Sequence, residues 1–180
     1  ISAQGMPAKN WVIFPEKIRG KYAVLQSVVP SIEISYVNDL DSIMKPLASA
    51  RHMGPQPGRA EYWDTSMRGA GAPPIKTDRG WLLLYHAMDK RDPNRYKLGA
   101  MLLDLTDPTR ILYRSPSPIL EPEMPYENDG KPGVVYASGT AVIEGILYVY
   151  YGGGDKHVCV AETNLRALLD WLTTYGKVEV

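Results

Sequence analysis

The chain has 180 residues, which is enough for one domain with a hydrophobic core of its own. Its 20 basic and 20 acidic side chains give a formal net charge of zero, which argues against a broad surface for nucleic acid or anionic membranes. No apolar run reaches the ~20 residues of a membrane-spanning helix. The single cysteine, Cys159, excludes an internal disulfide and predicts a reducing, cytoplasmic location, although a secreted enzyme without disulfides would have the same composition.

The predicted strands fall into three similar units, each organised around a turn glycine. The glycines are Gly20, Gly80 and Gly145, which lie about 60 to 65 residues apart. A short apolar or small-residue strand precedes each glycine, a second strand follows it, and a third strand comes next. In chain order the predicted strands cover residues 12–15, 21–25, 32–37, 72–75, 81–85, 97–103, 138–143, 146–151 and 157–161.

The segments between and after these units differ from the strands in composition. Residues 45–59 are rich in proline, glycine and small side chains, which predicts a long loop. The prolines of residues 107–122 cannot sit in a central strand, so this segment is predicted at an outer edge or between units. Leucines at helical spacing in residues 163–174, with Thr163 or Asn164 as a cap and Gly176 as a stop, predict one C-terminal helix.

The repetition predicts an all-β fold, in which one partial β-propeller domain spans residues 1–180. Its three blades would cover approximately residues 9–44, 62–114 and 134–170. The alternative is an ordinary antiparallel sandwich whose hairpins look alike. Known propellers have at least four blades, and three blades alone would leave sheet faces and edges exposed. The sequence therefore predicts that blades are missing upstream or that the chain forms a homo-oligomer.

Polar residues are predicted to gather at one end of the strands. Six positions after the turn glycines come Gln26, His86 and Tyr151. The other polar candidates, before the glycines or after the second strands, are Glu16, Lys76, Asp89 and Asp155. Together they would form a polar mouth that suits a hydroxyl-rich or anionic ligand.

Each of these candidates also has a purely structural interpretation. Glu16 and Lys76 could form an ion pair, and His86 could be a buried histidine without a catalytic role. Asp155 follows three glycines and could be no more than a turn residue. The three histidines lack metal-ligand spacing, so no metal and no bound cofactor are predicted; they are His52, His86 and His157.

Several motifs resemble glycoside hydrolase family 130, which contains β-mannoside phosphorylases and some β-mannosidases on a five-bladed propeller. The segments that carry the resemblance are residues 11–22, 69–77 with 80–86, 96–105 and 150–155. The resemblance extends over about residues 9–172 and implies that the chain corresponds to the last three blades. It also implies that the catalytic aspartate lies in an earlier blade, in a Glu-Asp-Pro-Arg-like segment that this sequence does not contain.

The resemblance implies an enzyme that acts on an oligosaccharide by inverting phosphorolysis, with inorganic phosphate as co-substrate. Hydrolysis of β-mannosides, or non-catalytic glycan binding by a truncated relative, are the alternatives. For phosphate the resemblance points to Lys9 and to Gln26, which stands where family phosphorylases often have histidine, and Lys76 of the predicted polar mouth is a further candidate. A neutral glutamine cannot supply the positive charge that phosphate favours, so this departure leaves hydrolysis open.

The implied sugar-binding residues lie at the ends of the second strands. They are Tyr85, His86, Asp89, Tyr151 and Asp155. Hydrolysis would need a second carboxylate that activates water, at roughly 6.5–9.5 Å from the acid. The candidates for that carboxylate are Glu16, Asp89 and Asp155.

Overall fold

The structure, a computed structural model, describes residues 10–28, 32–44, 50–51, 59 and 61–178. The proposed phosphate ligand Lys9 lies outside these residues, as does His52. The described residues form three antiparallel sheets and one C-terminal helix, and none of the three sheets closes on itself. The chain is therefore mostly β, as predicted. No helix in these ranges is long and apolar enough to cross a membrane.

The first sheet contains the four strands of the N-terminal unit in sequential order. A short 3₁₀ helix, Leu40–Met44, lies between its third and fourth strands. The strands are Val12–Ile13 (β1), Tyr22–Ser27 (β2), Glu33–Val37 (β3) and Ala50–Arg51 (β4).

The second sheet is the largest and lies in the middle of the chain. Its order is β5-β7-β8-β9, and β6 also pairs with β7. Two separate strands pair with β7 because residues 71–74, which include two prolines, leave the ladder. The strands are Ser66–Ala70 (β5), Ile75–Thr77 (β6), Gly80–Asp89 (β7), Asp92–Leu103 (β8) and Ile111–Arg114 (β9).

The third sheet has three strands and leads directly into the helix. The strands are Val135–Ile143 (β10), Ile146–Gly153 (β11) and His157–Asn164 (β12). The helix α1 covers Leu165–Tyr175, and the Asn164 side chain caps it by accepting a 2.9 Å hydrogen bond from the Ala167 amide. Gly176 is the C-cap. The predicted helix and both of its end signals are confirmed.

Eight of the nine predicted strands are present, with ends that differ by a few residues. The predicted strand 72–75 is wrong for most of its length, because it coincides with β6 only at Ile75 and its two prolines lie outside the ladder. Sequence analysis missed three strands: β4, β5 and β9. β4 has only two residues, and β5 carries a glycine and an arginine in place of an apolar pattern. Pairing with neighbouring strands stabilises such strands, so their own sequences need no alternation of apolar and polar residues. They therefore give a weak periodic signal.

Two hydrophobic cores separate the three sheets, and β7 contributes to both. Alternate residues of β7, such as Trp81, Leu83 and Tyr85, pack toward the first sheet. The residues between them, Leu82 and Leu84, pack toward the third sheet and α1. All ten residues of β7 are buried, so this strand forms the centre of the molecule.

The repeat defined on the three glycines is one residue out of register in the second sheet. Gly20 and Gly145 lie in tight turns at φ 78° and 79°, where each follows a residue that also has positive φ. Gly80 instead begins β7 and pairs with Thr77, so Arg79 occupies the turn position.

This shift matters because one residue of slip moves a side chain to the opposite face of a strand. Tyr151 belongs to the core between the second and third sheets and faces the preceding sheet. Tyr85 likewise faces the sheet that precedes its own, whereas His86 bonds to the following sheet. Tyr85 is therefore the counterpart of Tyr151, and the predicted equivalence of His86 with Tyr151 is wrong.

The second and third sheets also touch through their backbones. A Cβ atom on Gly71 would lie 2.0 Å from the carbonyl oxygen of Ala137. Glycine is thus required at position 71 by close approach, although its backbone angles are ordinary.

Candidate functional site

A small pocket lies where the second strand of the first sheet meets β5 of the second sheet. We call it the Arg68 pocket. Gln26 lies at a register irregularity of β2 and Arg68 at one of β5, and such bulges redirect side chains. Among the described residues that line the pocket, Arg68 is the cation and none is a carboxylate, so it suits an anion. The lining consists of Asn10, Leu25, Gln26, Ser27, Val28, Arg68, Gly69 and Ala70.

Gln26 contributes a neutral polar group to this pocket. Its side-chain oxygen accepts a 2.7 Å hydrogen bond from the hydroxyl of Ser35. An amide carries both donors and acceptors but no charge. The positive charge of the pocket therefore comes from Arg68, which sequence analysis missed.

Asn10 connects the pocket to both the second and the third sheet. Its side-chain nitrogen donates to the carbonyl oxygen of Arg68 at 3.4 Å, and its side-chain oxygen accepts from the Tyr136 hydroxyl at 2.9 Å. Asn10 has a φ of 63°, a conformation that asparagine tolerates better than most residues. A Cβ atom on Gly69 would lie 2.4 Å from the Asn10 side-chain nitrogen, so a larger residue there would displace the Asn10 side chain.

His86 lies directly behind this network and is completely buried. Its Nε2 accepts a 2.8 Å hydrogen bond from the Ala137 amide, and its ring stacks on Tyr136 with centroids 4.1 Å apart. Burial lowers the pKa of His86 to about 4, opposed by the backbone of Gly69. His86 is thus neutral at physiological pH and joins β7 to β10. Its Nδ1 forms no well-aligned hydrogen bond with the described part of the chain.

The residues predicted to gather at this end of the strands lie in adjacent positions. Gln26 shares the Arg68 pocket with Gly69, and Gly69 pairs with His86 across β5 and β7. His86 in turn bonds to Ala137, which pairs with Tyr151 across β10 and β11. A continuous series of contacts therefore runs from the first sheet to the third.

The two tyrosines of the predicted sugar site point into the interior. The Tyr85 hydroxyl donates to Asp64 at 2.7 Å, and the Tyr151 hydroxyl donates to Glu127 at 2.6 Å. Burial raises the pKa of both phenols, and the neighbouring carboxylates raise it further. Their roles in sugar binding stay predictions, and their hydroxyls are occupied in this structure.

Asp64 is the centre of a buried polar cluster that sequence analysis did not identify. Its carboxylate lies 2.7 Å from the guanidinium of Arg114 and 3.1 Å from that of Arg59. Asp64 and Arg114 are essentially inaccessible to solvent. Because both charges are paired and Tyr85 adds a hydrogen bond, the cluster is satisfied and ties the outer strand β9 to the sheet.

The two aspartates of the predicted sugar site have different surroundings. Asp89 ends β7 and accepts hydrogen bonds from the backbone and side chain of Arg91, which hold the pKa of its carboxyl below the usual value. Asp155 lies in the turn after β11 with a φ of 52°, 3.6 Å from the ammonium of Lys131. Asp155 is therefore the more accessible of the two and the more loosely held.

Glu16 and Lys76 form the ion pair that their structural interpretation predicts. Their side chains are 2.5 Å apart and about half exposed. Lys76 pairs with Trp81 near the hairpin turn, and His86 lies five residue steps, roughly 17 Å, farther along the strand than Trp81. The prediction that Glu16 and Lys76 share one end with His86 is therefore wrong, because they precede the turn, whereas His86 is the seventh of the ten residues of the strand that follows it.

A second cationic and aromatic group borders the Arg68 pocket and was also missed. The guanidinium of Arg68 and the ammonium of Lys131 each lie 5.9 Å from the centre of the Tyr96 ring. Lys131 also approaches Asp155, so these residues connect the Arg68 pocket to the third sheet. The one sequence signal was the position of Arg68 immediately before the glycine-rich segment 69–74.

In the described ranges, no group of three or more histidine, cysteine, aspartate or glutamate side chains could hold a metal ion.

Comparison with known proteins shows a clear family likeness. Residues 3–174 match the sequence profile of glycoside hydrolase family 130, described as β-1,4-mannooligosaccharide phosphorylase. The chain is 43% identical over 167 residues to a 1,2-β-oligomannan phosphorylase of Thermoanaerobacter sp. (strain X514), covering 89% of this chain and 52% of that protein. It spans about half the length of the curated relatives that it matches.

Solved structures agree with the sequence comparison. The β-1,2-mannobiose phosphorylase of Listeria innocua, solved with β-1,2-mannobiose, superposes with a TM-score of 0.81 at 36% identity, over 94% of this chain and 48% of that one. A second structure has a TM-score of 0.71 at 25% identity, over 89% of this chain and 50% of that one. It is described with the family's glycoside hydrolases that target β-1,2 mannosidic linkages in Candida mannan.

Proposed function

This chain belongs to glycoside hydrolase family 130, and we propose that it supplies the phosphate-holding and sugar-holding parts of a β-mannoside phosphorylase. In the proposed reaction inorganic phosphate attacks the anomeric carbon of a β-mannoside from the face opposite the leaving oxygen. The glycosidic bond breaks, an acid protonates the leaving oxygen, and the products are α-mannose 1-phosphate and the shortened acceptor. The lone Cys159 supports a cytoplasmic location for this reaction.

The observation that carries this proposal is the Arg68 pocket. Its described lining includes one arginine and several neutral polar residues, and no carboxylate. An arginine offers a planar fork of donors that matches the oxygens of phosphate. A pocket of this charge favours an anionic nucleophile over a water molecule that needs a base.

The sugar would lie between this pocket and the third sheet. Tyr96 offers an aromatic ring close to Arg68 and Lys131, and aromatic faces pack well against the apolar face of a sugar ring. Asp155 is exposed at the same border and can accept hydrogen bonds from sugar hydroxyls. These residues extend the predicted sugar site, in which Asp155 is the best placed of the original candidates.

The proton donor would come from outside this sequence, from an upstream segment of the Glu-Asp-Pro-Arg type. We propose that the three sheets are consecutive blades of a five-bladed propeller, within a single domain. The exposed apolar side chains on the outer face of the third sheet favour packing of a further sheet against it. Ile143 is 56% exposed and Val158 is 94% exposed. That partner would be an upstream blade or, in the alternative, another copy of the chain.

Hydrolysis is the second candidate, and the neutral Gln26 favours it. Two of the three candidate carboxylates nevertheless make poor bases for activating water. Arg91 lowers the pKa of Asp89, which weakens it as a base, and Glu16 is paired with Lys76 near the hairpin turn. Asp155 is the remaining candidate for that role.

The experiment that tests the proposal incubates the complete protein that contains this chain with β-1,2-mannobiose, with and without inorganic phosphate. The proposal expects α-mannose 1-phosphate, detected by ³¹P NMR, and little free mannose beyond the acceptor. Equal release of mannose with and without phosphate would establish hydrolysis instead. Binding of the disaccharide without any turnover would support a glycan-binding module.

A further inference from the structure

Tyr136 lies on the third sheet, yet its hydroxyl bonds to the first. This tyrosine belongs to β10, and its partner Asn10 precedes β1. Asn10 uses its other side-chain atom to hold the backbone carbonyl of Arg68 on the second sheet. Two consecutive hydrogen bonds, through the side chains of Tyr136 and Asn10, therefore connect all three sheets. They end at Arg68, which supplies the positive charge of the Arg68 pocket.

The ring of Tyr136 is held as firmly as its hydroxyl. It stacks on His86 with an interplanar angle of 9°, and His86 is itself fixed by its hydrogen bond to the Ala137 amide. Because His86 is buried and neutral, the stack brings no charge toward the pocket. The orientation of the Tyr136 ring is thus fixed by His86 and the Ala137 amide, which do not line the pocket.

The segment that Asn10 holds needs such support. Arg68 lies at a break in the pairing of β5 with β7, so the ladder alone does not fix its backbone. Gly69 follows with a φ of 150° and leaves just enough space for the Asn10 side chain. An external hydrogen bond to the Arg68 carbonyl therefore restricts a part of the strand that would otherwise have more freedom.

We propose that Tyr136 and Asn10 are positioning residues that fix the bulged backbone at Arg68 and thereby set the affinity of the Arg68 pocket for phosphate. The inference rests on the proposed function, because it assumes that phosphate binds at Arg68. Tyr136 is not among the lining residues of the pocket, whereas Asn10 is. The effect of Tyr136 therefore passes through Asn10 and the backbone of Arg68, so it falls on phosphate and not on the mannoside.

The test compares Tyr136→Phe with the parent in the complete protein. This change keeps the stack on His86 and removes only the hydroxyl. We expect the dissociation constant for inorganic phosphate, measured by calorimetry, and the KM for phosphate to rise by about three- to tenfold. The KM for the mannoside should stay within about twofold. Tyr175→Phe, at an exposed helix end, is the matched control and should change neither value.

A second variant keeps the test independent of how well the first one folds. Asn10→Gly removes the same link, and glycine tolerates the positive φ at this position. The double variant should be no weaker in phosphate binding than the more affected single variant, because both changes break one chain of contacts.

The outcomes separate this inference from the proposed function. Phosphate affinity within about twofold of the parent in both single variants would overturn the inference alone, provided the parent binds phosphate. An equal loss of mannoside affinity would also overturn it, because that result indicates general loosening. A parent protein that binds no phosphate would overturn both the inference and the proposed function.

Discussion

The phenol oxygen of Tyr151 lies 2.6 Å from a carboxylate oxygen of Glu127, and both side chains are buried. Tyr85 and Asp64 repeat this arrangement one sheet earlier, at 2.7 Å. In each case the tyrosine lies on the strand after the hairpin turn, and the carboxylate precedes the first strand of the same sheet. The two pairs are copies of one packing unit that attaches the incoming segment to its sheet.

Loss of the Tyr151 hydroxyl should destabilise the fold. We expect Tyr151→Phe to lower the free energy of unfolding by about 1–3 kcal/mol, because Glu127 keeps its burial and loses a hydrogen-bond donor. Urea denaturation of the variant measures this difference. Tyr175→Phe is the control and should stay within about 0.5 kcal/mol of the parent. A Tyr151→Phe protein as stable as the parent would show that water replaces the hydroxyl.

Removal of the Asp64 carboxylate should have a larger effect. Asp64→Ala leaves the buried guanidinium of Arg114 without its counter-charge, which costs about 3–5 kcal/mol. The exposed pair of Asp170 with Arg79 is the comparison, and Asp170→Ala should cost no more than about 1 kcal/mol. Thermal unfolding of the two variants side by side measures the difference. Similar losses in both would contradict the structural role of the buried cluster.

The buried His86 should make stability depend on pH in a defined window. Above about pH 6.5 the imidazole is neutral in both the folded and the unfolded chain, so its contribution is constant. Between pH 6.5 and about 4 the unfolded chain takes up a proton that the folded chain does not, so stability falls as pH falls. The integrated loss is about 3 kcal/mol.

The corresponding variant, His86→Gln, cannot take up this proton. Its stability should be lower at neutral pH and should fall less than that of the parent between pH 6.5 and 4. Urea titrations at several pH values give both curves. Parallel curves for parent and variant across this window would mean that His86 is protonated in the folded state.

Among the described residues, the two candidate cations for phosphate can be separated by matched substitutions. Arg68→Met should weaken phosphate binding by about 10- to 100-fold, since it removes charge-assisted hydrogen bonds and keeps a long side chain. Lys76→Met should leave phosphate binding unchanged, because Lys76 pairs with Glu16 at the hairpin-turn end of the second sheet. Calorimetric titration with inorganic phosphate measures both. The reverse order of effects would restore Lys76 as the phosphate ligand.

Much of the architecture could be predicted because it is encoded locally. The three units were visible through alternating apolar strands and their turn residues, and α1 through its leucine spacing with Asn164 and Gly176 at its ends. The strands that escaped notice, such as β5, are short or have a mixed composition. Their own residues give little periodic signal.

The candidate site was harder to predict because its contacts are long-range. Asn10 and Tyr136 are 126 residues apart, and nothing in either local segment indicates that they meet. The predicted equivalence of His86 with Tyr151 was wrong for a different reason. Gly80 looks like the turn glycines, but close approach explains it, since a Cβ there would lie 2.5 Å from the Leu103 carbonyl oxygen.

The contact between Gly71 and the Ala137 carbonyl limits how this molecule can vary. Since the two backbones meet without an intervening side chain, the separation of the second and third sheets at this end has already reached its minimum. Enlarging or trimming the leucines and valines between them can alter how densely that space is filled, but cannot bring the sheets closer here. A saturation library at position 71 should consequently return glycine alone among folded clones, whatever residues occupy the core beside it.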